Sequence, residues 1–458
     1  MARSNPAQRG FLRRLLPNRE LSREVLRLAT PVTLGTLTFT LLSIVDTAML
    51  GHLGALPLAA SGVAGVFFFS LVFPVASISV GTQTLVARRF GEERRELCGQ
   101  VMNTGLAVGL VFGVLFAILS PWLARIIAPI TSNDPLVQEA GAVYLNFRFL
   151  GAPFMLFNSV SLGFFAGIGR TKHQLVGSIL ITATNILLDY LLIFGKGGFP
   201  QLGIRGAAIA STIALGLGSV YYLVVLVLPS YRAEFGSLQR PWIAAKWLAP
   251  MVKLSLPILA QRILSNGAWA IFFTIIARIG TIELAATNVI RSVIHLSIMI
   301  AVGLGIASAA LIGQNLGAKK PDHAEKLAWE SAKLATIAMV LVGALFVFVP
   351  GFVYRIYTSD PVVIAAGRVP LILLGFVQIF VGIALVFSQS LQGAGNTRFV
   401  MLVEILCVAC YLPTVWWLGL NTSLGLVGAW IGEYVYWIML ATAMFLKFRT
   451  GTWKSISV

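Results

Sequence analysis

Asp46 lies in PVTLGTLTFTLLSIVDTAMLG (Pro31–Gly51), where it is the one ionisable side chain. A second aspartate, Asp189, follows Asn185 by four residues in TNILLDYLLIFG. That spacing puts both side chains on one face of a helix. Carboxylates inside apolar segments of this length are costly and mark functional sites by default. Counted from the outer helix ends, Asp46 lies roughly 8 Å deep and Ser211 roughly 12 Å deep, at 1.5 Å per residue. Asp189 lies at a similar level. Two carboxylates at one depth in low dielectric repel one another when both are ionised. They would therefore share or exchange a proton, or hold a Na⁺ jointly with the oxygens of Asn185 and Ser211. The competing structural reading pairs Asp46 with Arg148, or leaves it wetted near the interface. Tyr144 and Arg148, four apart and deeper, are candidate cavity or counter-ion residues together with Asn158.

A second polar set lies later in the chain: Arg262, Arg291, His295, Glu404 and Glu433. Arg291 and His295 share a helical face, and a histidine can carry a proton. Acids and bases balance there, so a static salt-bridge network or the lining of a substrate cavity is the favoured reading. Pro31 lies fifteen residues before Asp46. A proline removes a backbone hydrogen bond and bends a helix. It is a candidate hinge, with a purely architectural kink as the alternative.

Such residues need elements to hold them, and the composition says which. Of 458 residues, 57% are hydrophobic and 11% charged. Soluble proteins carry about 25% charged residues. Twelve apolar segments reach the roughly 20 residues needed to cross a bilayer. They run over about 25–49, 59–85, 97–126, 136–165, 174–195, 203–228, 247–277, 284–312, 323–350, 361–389, 399–419 and 424–447. The expected fold is all-α and integral to the membrane. With the N-terminus inside, inner segments hold 24 of the 34 Lys and Arg residues and outer loops five. This bias places both termini in the cytoplasm. The basic stretch over 1–24 reads as a surface segment leading into the first span. The net charge of +17 is scattered at span ends. It shows no basic domain with stacking aromatics, so nucleic acid is not an expected partner.

The halves repeat at a constant offset. Pro31 falls on Pro257, Gly54 on Gly280, Gly91 on Gly317, Gly167 on Gly393 and Thr171 on Thr397. After a shortened loop, LGIRGA matches LGLVGA. Each repeat has six spans, so the expectation is two six-helix bundles related by a pseudo-twofold axis along the membrane normal. The domains would be a bundle at 25–228, a cytoplasmic linker at 229–246, a bundle at 247–447 and a tail at 448–458. The repeat is not chemically symmetric. Asp46 aligns with Phe272, Asn185 with Tyr411, Asp189 with Val415 and Ser211 with Glu433.

Enzymatic chemistry is not expected. His52, His173, His295 and His323 are spread along the chain. Cys98, Cys407 and Cys410 show no metal spacing. No cofactor is expected, and no metal beyond a coupling Na⁺.

ATPVTLGTLTFTLLSIVDTAMLGHLG, NILLDYLLIFG, GIRGAAIAS and LQGAGNTR carry a resemblance. Along nearly its whole length the chain resembles the multidrug and toxic compound extrusion (MATE) transporters. VDTAMLGHLG with NILLD is similar to the DinF-like branch. The resemblance implies a drug/H⁺ or drug/Na⁺ antiporter of the inner membrane, working by alternating access. The cargo would be amphipathic, cationic organic molecules, and a monomer would suffice. It implies that Asp46, Asn185, Asp189 and Ser211 form the ion-coupling site, where the family usually has threonine at the last position. It assigns Pro31 to the bend of span one. The acids of the NorM-like second-bundle site are replaced by Ser265 or Asn266 and by Asn396. A flippase for a lipid-linked precursor is the alternative within the wider superfamily.

Overall fold

The computed structural model describes residues 17–239 and 242–458, and most of the basic segment 1–24 lies outside them. The described residues form α-helices, two 3₁₀ turns and no strands. The first half runs α1 (Arg19–His52), α2 (Ala55–Val75), α3 (Ile78–Gly91), α4 (Arg95–Thr131), α5 (Pro135–Leu150), α6 (Ala152–Gly167), α7 (Lys172–Phe194), α8 (Ile204–Val227) and the short α9 (Pro229–Phe235). The second runs α10 (Leu248–Ile279), α11 (Thr281–Gly317), α12 (Pro321–Phe348), the short α13 (Pro350–Arg355), α14 (Pro361–Gly393), α15 (Thr397–Leu420) and α16 (Gly425–Arg449). Eleven segments are long and apolar enough to cross a membrane, and α5 with α6 makes a twelfth.

The repeat shows in local detail. Asp134 caps α5 by accepting from Leu136 N at 2.9 Å, with Pro135 in the first turn. Asp360 caps α14 by accepting from Val362 N at 2.8 Å, with Pro361 in the first turn. An N-cap carboxylate followed by proline is a strong helix start.

The halves differ in where helices break. The apolar stretch 136–165 corresponds to α5 and α6, which meet at a 46° bend at Gly151. Pro153 has no N–H for the turn before it. Gly151 N bonds back to Arg148 O at 3.0 Å, so the Phe147 carbonyl is freed, and the Thr212 hydroxyl takes it at 2.8 Å. The repeat mates of Gly151 and Pro153 are Val377 and Ile379, and α14 runs through them unbroken. Span two likewise divides into α2 and α3 beyond Pro74, whereas its mate Ile300 sits in the unbroken α11.

The chain clusters into two compact units. One takes in the chain up to Thr33 and Leu264–Ser457; the other is Leu34–Ile263 with Val458. The divisions fall inside α1 and α10. Each of those two helices therefore contributes one part to each unit.

Candidate functional site

In the unit built on Leu34–Ile263, α7 and α8 form a tight hairpin. A Cβ on Gly206 would stand 2.6 Å from Leu192 O, so only glycine lets the helices approach this closely. That approach brings Ser211 of α8 to Asn185 of α7. Ser211 Oγ donates to Asn185 Oδ1 at 3.3 Å, and Asn185 Nδ2 donates to Asp189 Oδ2 at 2.8 Å. Asp189 is 0% exposed.

Asp46 of α1 meets this chain of bonds. Its carboxyl lies within hydrogen-bonding reach of Asp189, and Arg148 is the positive charge beside both. The Oδ1 atoms of both aspartates are buried without a hydrogen-bond partner. Ionised carboxylates only accept hydrogen bonds. A contact between two of them is therefore stable only with a proton or a cation present.

Among the described residues Arg148 forms no ion pair; its guanidinium carbon stands 4.5 Å from the Phe68 ring centroid and 6.0 Å from that of Tyr144. Its Nε is buried without a partner. Tyr144 has Arg148, Asp46 and Asp189 as its charged neighbours. Asp46, Tyr144, Arg148, Asn185, Asp189 and Ser211 thus form one cluster. Asn158 lies outside it. Its Nδ2 donates to Leu215 O at 3.0 Å and its Oδ1 accepts from Ser219 at 2.8 Å, which ties α6 to α8. Pro31 lies within the continuous α1.

Sequence reasoning missed three residues. Gln174, Ser178 and Thr182 are at most 6% exposed and continue the face of Asn185 and Asp189 along α7. Thr182 Oγ1 and Gln174 Oε1 are buried without partners. The signal was present in the spacing: 174, 178, 182, 185 and 189 keep one helical face.

The second polar set does not form one network. Arg262 belongs to the unit built on Leu34–Ile263, where it donates to Phe73 O at 2.9 Å and lies over the Phe73 ring at 4.3 Å. The carbonyl it takes is one that α2 loses where it breaks. A cation there also opposes the negative end of the helix dipole. Glu404 and Glu433 of the other unit are 1% and 2% exposed. Glu404 Oε1 accepts from Ser265 at 2.6 Å and from Tyr436 at 2.7 Å. With Tyr411, Trp269 and Glu433 they line a cavity of about 20 Å³, room for about one water. Around Phe272, the mate of Asp46, the rings of Tyr411 and Trp430 lie 6.4 Å and 5.2 Å away. Packed aromatics thus occupy the place that carboxylates hold in the first half. Arg291 and His295 stand apart from these acids on α11.

Helices in two repeated sixfold sets, long and apolar enough to cross a bilayer, define a multi-span membrane protein of duplicated architecture. The profile of the MatE family matches residues 31–191 and 257–417. The two stretches are equal in length, and both ends shift by the same offset as the sequence repeat. The chain belongs to the MatE family, whose members are transporters and not enzymes. It is 26% identical to a probable multidrug resistance protein NorM of Thermotoga maritima, covering 96% of this chain and 94% of that one. It is 28% identical to a probable NorM of Bradyrhizobium diazoefficiens, over 93% and 92%. A multidrug resistance protein MdtK of Edwardsiella ictaluri is 25% identical over 93% and 95%. Among solved structures, an outward-facing multidrug resistance MATE family transporter superposes with a TM-score of 0.88 at 21% identity, covering 95% and 97%. A transporter of the MOP superfamily from Pyrococcus furiosus, described as having a binding pocket of reverse polarity, superposes with a TM-score of 0.87 at 21% identity, covering 94% and 95%.

Proposed function

We propose that this chain exports amphipathic organic compounds, cationic ones among them, in exchange for H⁺ or Na⁺ entering the cell. The observation that carries the reading is the contact of Asp46 with Asp189, each with one buried oxygen left unbonded. An arriving proton bonds one such oxygen and removes a charge. A Na⁺ takes both, together with the oxygens of Asn185 and Ser211. Either occupant lowers the repulsion of the pair. With the site filled, α1 bends at Pro31 and the first bundle gives up its cargo to the outside. Coupling comes from the different affinities of the two states for ion and cargo. The chain works as a monomer in the inner membrane with both termini in the cytoplasm, following the basic bias of its inner loops. The DinF-like reading rests on VDTAMLGHLG and NILLD. Nothing favours the lipid-linked precursor alternative. A diphosphate needs several free cations; of Arg148, Arg262 and Arg291 the first two are turned onto Phe68 and onto the Phe73 carbonyl, which leaves Arg291 alone.

The test is efflux of a fluorescent cationic dye from proteoliposomes under a proton gradient, a Na⁺ gradient and neither. One gradient should drive export. Asp46→Asn and Asp189→Asn should each abolish that drive while still binding dye. Normal export by either variant overturns the site.

A further inference from the structure

The exposed face of the first half of α11 carries a polar stretch between apolar Ile282 and Ala285 on one side and Leu296 on the other. Asn288, Arg291, Ser292 and His295 are exposed, at positions i, i+3, i+4 and i+7. The opposite positions, among them Val289, Ile290, Val293, Ile294 and Ser297, are buried. Arg291 and His295 stand about 15 Å and 21 Å along the helix from its first residue, well inside a membrane-spanning segment. An exposed guanidinium at that depth does not face hydrocarbon; it faces water or a ligand. A lipid-facing stripe would instead be apolar, as on the neighbouring spans.

The stripe is ready to bind. Asn288 and Ser292 bond their own helix, to Leu284 O at 3.1 Å and to Asn288 O at 3.0 Å. Arg291 and His295 have no hydrogen-bonding or ion-pair partner among the described residues, and the charge beside His295 is Arg291 itself. The guanidinium lies over the Phe273 ring of α10, 5.2 Å from its centroid. A guanidinium without a hydrogen-bond partner presents a fork that matches a carboxylate. A neutral imidazole adds one further donor.

We infer that Arg291 and His295, backed by Phe273, form a subsite for the carboxylate of a zwitterionic amphipathic cargo. The inference deepens the proposed export function, on which it rests for the direction of movement alone. It gives the cargo two contrasting recognition elements: an aromatic or cationic body, and an anionic group at α11.

The test is equilibrium binding by fluorescence anisotropy, with the purified full chain in detergent. The two probes are a rhodamine bearing a free benzoate and the methyl ester of the same dye. They share the cationic ring system and differ in the carboxylate. The free acid should bind about five to ten times more tightly than the ester. Arg291→Gln should weaken the acid by about tenfold and the ester by less than about twofold. Arg291→Lys should restore part of the loss, and His295→Gln should cost about threefold for the acid only. Equal binding of both dyes by the unmutated chain overturns the subsite. So does an equal loss for both dyes in Arg291→Gln, which would report a damaged cavity. Elution volume and melting temperature matched to the unmutated chain exclude misfolding. A chain that prefers the acid but shows no gradient-driven efflux overturns the coupling reading and leaves the subsite standing. A chain that exports under a gradient but does not prefer the acid does the reverse.

Discussion

Asn185 gives its amide N–H to Asp189 Oδ2 at 2.8 Å and keeps its amide oxygen for Ser211. The two bonds fix the orientation of the amide. They also decide which Asp189 oxygen stays free: Oδ1, buried and unbonded. The ion-coupling reading requires such an atom.

The bond to Asp189 is charge-assisted whenever that carboxylate is ionised, and the one from Ser211 is long and neutral. Replacing Asn185 by Leu should remove about 1.5–3 kcal/mol of carboxylate stabilisation, and Ser211→Ala about 0.5–1.5 kcal/mol. Gradient-driven efflux should therefore fall at least about tenfold in the first variant and only a few-fold in the second. Initial rates in proteoliposomes measure both. A larger defect in Ser211→Ala would contradict this order.

Arg262 serves the helix break and not the coupling chemistry. Arg262→Met keeps much of the apolar stem but strands the Phe73 carbonyl, at about 1–3 kcal/mol. The melting temperature in detergent should drop, while the ion dependence of efflux stays unchanged. A change of coupling ion or stoichiometry in this variant would assign Arg262 to the transport site.

Gly113 lets α4 pass the bend of span four. A Cβ there would stand 2.5 Å from Pro153 Cα and 2.8 Å from its nitrogen, backbone atoms that cannot swing aside. Gly113→Ala should cost about 1–3 kcal/mol by overpacking. Thermal unfolding reads this cost, and an unchanged melting temperature would show that the α5–α6 corner is pliable.

The tail separates packing from charge. Trp453 is 0% exposed and stacks on Phe448 at 4.7 Å, so Trp453→Ala should cost about 3–5 kcal/mol. Lys454 pairs with Glu325 at 2.6 Å and with Asp322 at 2.9 Å. These bonds, that to Glu325 first, hold its ammonium above the ordinary lysine range. The pairs are solvent-screened and worth about 0–1 kcal/mol. A raised lysine pKa stabilises below the unfolded value and loses its effect as pH rises through the folded one. The small melting difference between the unmutated chain and Lys454→Met should therefore be constant from pH about 7 to 9 and vanish above the lysine range near 10.4. A difference that grows with pH would place the effect elsewhere.

The spans, the repeat and the paired aspartates were legible in the sequence, because each is a property of residues along the line. Apolar length marks a span, a constant offset marks duplication, and a lone carboxylate in an apolar run marks a site. The breaks were not legible in the same way. Pro121 and Pro129 lie inside an unbroken α4, and Pro413 inside an unbroken α15, while the spans holding Pro74 and Pro153 divide. What differs is a side chain from elsewhere in the chain. Arg262 takes the carbonyl at one break and Thr212 the carbonyl at the other. The sequence alone therefore determined the membrane class, the duplication and the coupling candidates. Only the tertiary structure decided that Arg262 is a cap, that Asn158 is a strut, and which oxygens of Asp46 and Asp189 remain open. A freed carbonyl or a bare carboxylate oxygen is defined by which distant donor reaches it, and that is a property of three-dimensional packing.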